Sequence, residues 1–382
     1  MNSLYKLRCW QCVEIDESIW FANLYFNALI KLNKRTGQID DIKKFPHYTI
    51  DQTWLYSTVD HVEGWLIFTP HKSEEIVSFN IRTHEFRSAE LDLNRVGKRE
   101  GYFGSSYVYK HYVFMFPLYG ACILRFDVIQ NSVKYLENDL GAVSKESLCF
   151  ALQYEVVDGK VYIPFAEQNA VAIFDPEKES LCLEVLDIDG GCSTINYVNG
   201  CFYMASWKHC RIYRWEKDTG DIFVYEDFPK SFVPGGLIFL RAIIIEKSLF
   251  FLPIEANMIL SIDMESEKLC EGEKIINPNH ESWNVFWGSK VGDKYIIATA
   301  DNDDFWMPGY IDKRFCLEPY IRLDTAYNKK IISDFIINKG YFSERFENEE
   351  MLRKYLGIVE NSPGQTKNKK AGNYGKIIWE SC

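Results

Sequence analysis

Short apolar and aromatic runs alternate along this chain with clusters of turn-forming residues, and six of the runs end alike, in an apolar residue followed by Asn, Asp or Glu. The pairs are Leu32-Asn33, Phe79-Asn80, Phe126-Asp127, Phe174-Asp175, Trp215-Glu216 and Ile262-Asp263. Successive pairs stand 47, 47, 48, 41 and 47 positions apart, and a seventh, Leu323-Asp324, follows after 61. The stretch around Phe174 shows what lies between two pairs. Phe150 to Val157 reads as one strand, Asp158-Gly159 as a tight hairpin turn and Lys160 to Pro164 as the next strand. Ala170 to Phe174 makes a third strand, Asp175-Pro176-Glu177-Lys178 a turn, and Leu181 to Leu186 a fourth. The first turn recurs as Glu63-Gly64 and Asn199-Gly200. The second recurs as Asn33-Lys34-Arg35-Thr36-Gly37 and Glu216-Lys217-Asp218-Thr219-Gly220. A short carboxylate or amide opening such a turn bonds the backbone amides just after it, so the repeated Asn/Asp column is a structural signal.

Four strands repeated every 40 to 50 residues are the signature of a β-propeller. The predicted fold is all-β: a seven-bladed propeller of four-stranded antiparallel blades over residues 1–337, with units starting near residues 6, 54, 102, 148, 190, 238 and 284. Leu7 to Glu14 supplies an inner strand to the first blade, and Lys329 to Ile337 is the expected outer strand of the seventh. The ring then closes either by packing blade 1 on blade 7 or by exchanging a strand between the termini. Residues 338–382 are a short, partly helical C-terminal extension. Ser343 to Ile358 has helical apolar spacing with Ser343 as N-cap, Glu360 to Asn373 reads as a linker, and the apolar end from Gly375 to Cys382 is suited to docking.

The chain carries a net charge of −11, which argues against nucleic acid and anionic membranes as partners. No run is long and apolar enough to span a bilayer, and the N-terminus has no signal-peptide core. Eleven cysteines without a framework then point to reduced thiols and a cytoplasmic protein. The one CxxC, Cys9-Trp10-Gln11-Cys12, lacks a second ligand pair for zinc and reads as two strand residues on alternate faces. No metal or cofactor is expected. Asp301, Asp303 and Asp304 lack the Gly and distal Glu of an EF-hand loop, and no GxSxG, P-loop or GxGxxG run is present.

The period and the apolar-x-Asp turn after the third strand resemble the kelch and galactose-oxidase-like propellers. The Gly-Gly doublet of kelch units is replaced by Ala22-Asn23, Thr69-Pro70, Phe116-Pro117, Ile163-Pro164, Ala205-Ser206 and Leu252-Pro253, and the Trp-Asp dipeptide of WD40 repeats is absent. The resemblance implies architecture and no particular activity.

In a propeller the inner strands line a central channel, and the loops entering them share one face with the loops between second and third strands. Counting back from the hairpin turns aligns Thr58, Ser105, Gln153, Thr194 and Arg241 at one depth, with Glu155 and Asn196 two residues further on. Arg241 stands in the apolar run Gly236 to Glu246, so its charge must meet water, a carboxylate such as Glu155, or an anionic ligand. Trp207, His209 and Trp283 lie in loops of the same face, beside Trp54, Tyr102, Glu167, Glu255 and His280. Blade 7 carries an insertion, Ala300 to Tyr310, of the kind used as a lid or partner contact. Two functions fit this surface. One is a non-enzymatic binding or scaffold protein offering its loop face to a protein partner or small polar ligand. The other is a lyase, hydrolase or epimerase on a carbohydrate-like or anionic molecule, with Arg241 as anchor and Glu155 and His209 as acid–base pair.

Overall fold

A computed structural model of the chain describes residues 7–97, 101–118, 122–136, 149–236, 238–272 and 323–337, together with the backbone of the strands between 273 and 319 and of residue 338. Seven four-stranded antiparallel sheets follow one another along the sequence, each built from four consecutive strands. The blade read most directly from sequence has strands Glu155–Val157, Lys160–Pro164, Ala170–Asp175 and Ser180–Val185. Its hairpin Asp158-Gly159 has φ of 52° and 74°, as a two-residue turn matching strand twist requires, and Asn199-Gly200 repeats it at 50° and 86°.

The core is distributed between the blades. One buried cluster joins blades 1 and 2 around Phe45, Phe68 and Phe79, and another joins blades 2 and 3 around Phe103 and Phe126. Phe114, Phe150, Phe165 and Phe174 join blades 3 and 4, Phe202, Tyr213 and Trp215 blades 4 and 5, and Phe239 and Phe251 blades 5 and 6. The aromatic richness of the sequence is consumed here, since flat sheets stacked face to face are filled by large rings.

The repeated acidic or amide residue plays the expected turn role. Asn33, Asn80, Asp127, Asp175 and Asp263 each accept hydrogen bonds from the two amides that lie two and three residues on. Four residues after each pair's polar member the backbone turns left-handed, at Gly37, His84, Asn131, Glu179, Gly220 and Glu267. Side chains in this second column reach back to the preceding blade. Asn131 donates to the Ser88 carbonyl at 2.9 Å, Glu179 pairs with Arg125, and Glu267 pairs with Arg214. The perimeter is thereby laced turn to blade.

Several expectations are corrected. Lys329 to Ile337 is no strand but part of the helix Thr325–Asn338, while the third and outer strands of blade 7 are Pro308–Ile311 and Leu317–Pro319. Asn328, Ile332, Phe335 and Ile336 are buried at helical spacing, which a strand would split between two faces. Leu323-Asp324 mimics the repeat because Asp324 accepts from the Tyr327 amide at 3.1 Å, the same bond that opens a turn and here starts a helix. The end of the presumed insertion, Pro308 to Tyr310, belongs to the third strand. Residues 300–307, the Asp301, Asp303 and Asp304 group, and the chain beyond 338 lie outside the described residues.

The inner strand of blade 1 is only Val13–Ile15. Upstream, Arg8 bonds Asn23 and Leu24 off the strand register, and Cys9 and Cys12 are buried together. Burial and the hydrogen bond between these two thiols raise the Cys9 pKa well above its usual range. Blade 1 keeps its own four strands, so closure involves no strand exchange. Asn328 makes the join instead. Its amide donates to the Gly37 carbonyl and accepts from Ile39 N, both at 2.8 Å, and Asp324 accepts from the Gln38 side chain at 3.0 Å. Chain contacts divide the molecule into two units, Met1–Ile332 and Ser333–Cys382, and the described part of the second is the end of this helix, with Phe335 and Ile336 buried. No helix among the described residues is long and apolar enough to cross a membrane.

Candidate functional site

Inner strands begin, and second strands end, at the loop end of the channel. Side chains from five blades meet there. Leu152, Leu240 and Ile254 are buried against Trp10, Leu118 and Trp207 in a single apolar layer. A register shift between Phe239 and Arg241 makes Leu240 an extra residue in its strand, which turns it out of the regular ladder. The equivalent irregularity in blade 3 falls at Gly104, where a Cβ would stand 2.5 Å from Leu152 and 3.2 Å from Leu118. Glycine is required there because the layer occupies the space a side chain would take. Trp54 and His71 extend the layer, at 5.4 and 4.6 Å from the Trp10 ring. Trp54 holds a φ of 59°, a conformation bulky residues rarely adopt.

Beneath this layer three of the five aligned polar residues are spent on internal hydrogen bonds, two of them between blades. Thr58 shares a 2.6 Å hydrogen bond with Ser106 of the next blade. Thr194 is fully buried and accepts from Ala205 N at 2.9 Å. Gln153 spans from blade 4 to blade 6: its carbonyl oxygen accepts from Ala242 N, and its amide donates to Ala242 O, both at 2.8 Å. The same amide donates to Ile195 O at 2.9 Å and lies 3.1 Å from the Asn196 side chain. Gln153 is therefore committed to the backbone of the two neighbouring strands. Ser105 is buried, and its hydroxyl has no hydrogen-bond partner among the described residues.

Arg241 differs from the rest of its column. Among the described residues its guanidinium forms no ion pair or hydrogen bond, and Nε is buried without an acceptor. Burial brings its pKa down to about 10, with Tyr154 acting in the opposite direction. Burial likewise raises the Tyr154 phenol, helped by Asp60 and opposed by Arg241. Asp60 accepts from the Ser106 hydroxyl at 2.6 Å, and burial raises it to about 6 against that bond. Alignment of the hairpins places Arg241 and, two residues further on in blade 2, Asp60, but it misses Tyr154, which falls between the two aligned depths of blade 4. The carboxylate expected for Arg241 is not Glu155, whose Oε2 instead accepts from Tyr197 N at 3.4 Å.

The proposed acid–base pair is not assembled. His209 sits in an exposed loop, held by its amide to Ser206 and 4.0 Å from Asp189, and no hydrogen bond or ion pair joins it to Glu155. Trp207 is half-buried beside the apolar layer, and Trp283 lies outside the described residues. No group of three or more His, Cys, Asp or Glu suited to a metal ion occurs among the described residues.

Solved structures share this fold at low sequence identity. A structure of the mitotic checkpoint complex contains a chain 12% identical, aligned over 85% of this chain and 89% of that one with a TM-score of 0.55. The RRP9 WD40 repeats are 10% identical over 77% and 87% of the two chains, TM-score 0.53. BamB from Moraxella catarrhalis is 11% identical over 81% and 83%, TM-score 0.51. The chain is thus a β-propeller. These likenesses carry the fold alone, and none bears on the kelch resemblance. No protein-family model and no curated protein matches the chain.

Proposed function

We propose that this propeller is a non-enzymatic binding or scaffold protein of the cytoplasm that presents its loop face to a protein partner. The observation that carries this reading is the aromatic centre of that face. Trp10, Trp54 and Trp207 lie half-buried over an apolar layer, ringed by charged loop residues. The ring includes Glu167 with Lys208 at 3.8 Å, Asp189 with Arg211 at 3.0 Å, and Arg211 with Glu226 at 3.2 Å. Rigid aromatic anchors inside a polar rim are the anatomy of an interface hot spot. Backbone strain at Trp54 fits a residue held for contact. One solved propeller of the same fold occurs in a multiprotein assembly, the mitotic checkpoint complex. Nine described cysteines are free thiols, in keeping with a reducing compartment.

The test is quantitative cross-linking capture with wild type, the double variant Trp54→Ala with Trp207→Ala, and Val156→Asp on the opposite, hairpin-turn end. A partner retained by wild type and Val156→Asp but weakened about 30-fold by the double variant is the expected result, about 2 kcal/mol at a hot spot. Equal capture by all three would move the interface off the loop face.

A further inference from the structure

The channel beneath the apolar layer contains a guanidinium that no described residue pairs with. Nε of Arg241 is sealed from solvent without an acceptor, whereas Nη1 and Nη2 are not sealed and still have no hydrogen bond among the described residues. An arginine at the edge of an apolar strand is costly to leave unsatisfied. The Tyr154 ring is fixed by Tyr107 at 5.8 Å and Phe116 at 6.2 Å, and its hydroxyl makes no hydrogen bond among the described residues. The two residues are brought together by their neighbours. Gln153 pairs with both backbone groups of Ala242 at 2.8 Å, so residues 154 and 241 lie on strand segments clasped across the channel. The clasp gives a rigid floor bearing one cation and one phenol.

We propose that Arg241 and Tyr154 bind the carboxylate of a small monoanionic ligand inside the channel, entering from the hairpin-turn end because the loop end is closed by the apolar layer. Guanidinium and phenol are matched donors for a planar carboxylate, the first by its fork and the second by a single O–H. Charge selects the valency. Asp60 and Glu155 both act electrostatically on Tyr154, so among the described residues two carboxyl groups stand against one guanidinium. Repulsion from those carboxyl groups grows with ligand charge, so a monocarboxylate, which Arg241 can pair one to one, is favoured over a dianion such as phosphate. Asp60, oriented by Ser106, is left to accept a hydroxyl of the same ligand. This site is independent of the loop-face reading, since it lies on the other side of the apolar layer.

Calorimetric titration of the full chain with sodium acetate, sodium glycolate and inorganic phosphate, at ionic strength matched with chloride, tests it. Acetate or glycolate is expected to saturate one site, with phosphate weaker. Arg241→Gln should weaken binding at least about tenfold and Tyr154→Phe about fivefold, in line with loss of a charged and a neutral hydrogen bond. Arg241→Lys, which keeps the charge but not the fork, should fall between wild type and Arg241→Gln. Near-ultraviolet circular dichroism verifies folding, and if Arg241→Gln fails to fold, Arg241→Lys and Tyr154→Phe decide. No saturation by either carboxylate, unchanged binding in the Arg241 variants, or phosphate binding tighter than acetate overturns the proposal.

Discussion

Asp60 is the residue whose environment makes the plainest demand on solution behaviour. Burial disfavours its charged form and raises its pKa to about 6, although the Ser106 hydroxyl donates to it. A carboxyl group whose folded pKa lies above its unfolded value binds protons more tightly in the folded state. Its contribution to stability is therefore full below the unfolded pKa and is lost as pH rises through 6. Asp60→Asn removes the ionisation while keeping an oxygen for Ser106. The variant is expected to melt above wild type at pH 8, by on the order of 2 kcal/mol, and to keep only about half of that advantage at pH 5. Thermal melts of both proteins at the two pH values check it. An advantage that does not depend on pH would mean that ionised Asp60 is well solvated in the channel.

At the scale of elements, most of the fold was legible because each blade repeats the same local chemistry. The hairpin Gly residues and the Asn or Asp opening each outer turn act through bonds within a few residues, so a sequence period reports them directly. What escaped detection depended on contacts distant in sequence. Leu323-Asp324 carried the local signal faithfully, yet the same Asp bond serves a helix N-terminus, and only the burial of Asn328 and Ile332 decides between the two. Arg241 was legible as an uncompensated charge, whereas the commitment of Gln153 to Ala242 was not, because it links residues 89 apart. The left-handed turn column shows the same boundary. Blade 1 has Gly37 there and so has no side chain to reach back with, and Asn328 of the C-terminal helix supplies the missing amide from outside the ring. Asn328→Ala leaves Ile39 N without its acceptor and takes one of two donors from Gly37 O, which keeps the Asp324 amide, and should destabilise the protein by about 2 kcal/mol. The equivalent Asn131→Ala, which loses one bond to Ser88 on a partly exposed turn, should cost about 1 kcal/mol. Chemical denaturation of the two variants ranks them, and equal costs would remove the helix from ring closure.

Across the whole molecule two kinds of contact hold the blades, and they should differ in reach. Perimeter pairs such as Arg125 with Glu179 join only adjacent blades, as in an open repeat array where stability sums over nearest neighbours. The apolar layer at the loop end is different, because Trp10, Leu118, Leu152, Trp207, Leu240 and Ile254 bring blades 1, 3, 4, 5 and 6 into one cluster. A ring with such a hub loses cooperativity when the hub is loosened, even though each blade keeps its own turns and interblade core. Leu152→Ala removes a side chain packed over Gly104 and should cost about 2 to 3 kcal/mol, the lower part of the range for a buried leucine, since the layer has solvent on one side. Its effect on hydrogen exchange should spread to the inner strands of blades 3 through 6 together. Glu179→Ala should raise exchange only at the outer turn of blade 4 and the third and outer strands of blade 3, where its partners Arg125 and Lys134 lie. Exchange in Leu152→Ala confined to blade 4 would show that the layer is merely adjacent side chains, and that the ring holds by pairwise interblade packing alone.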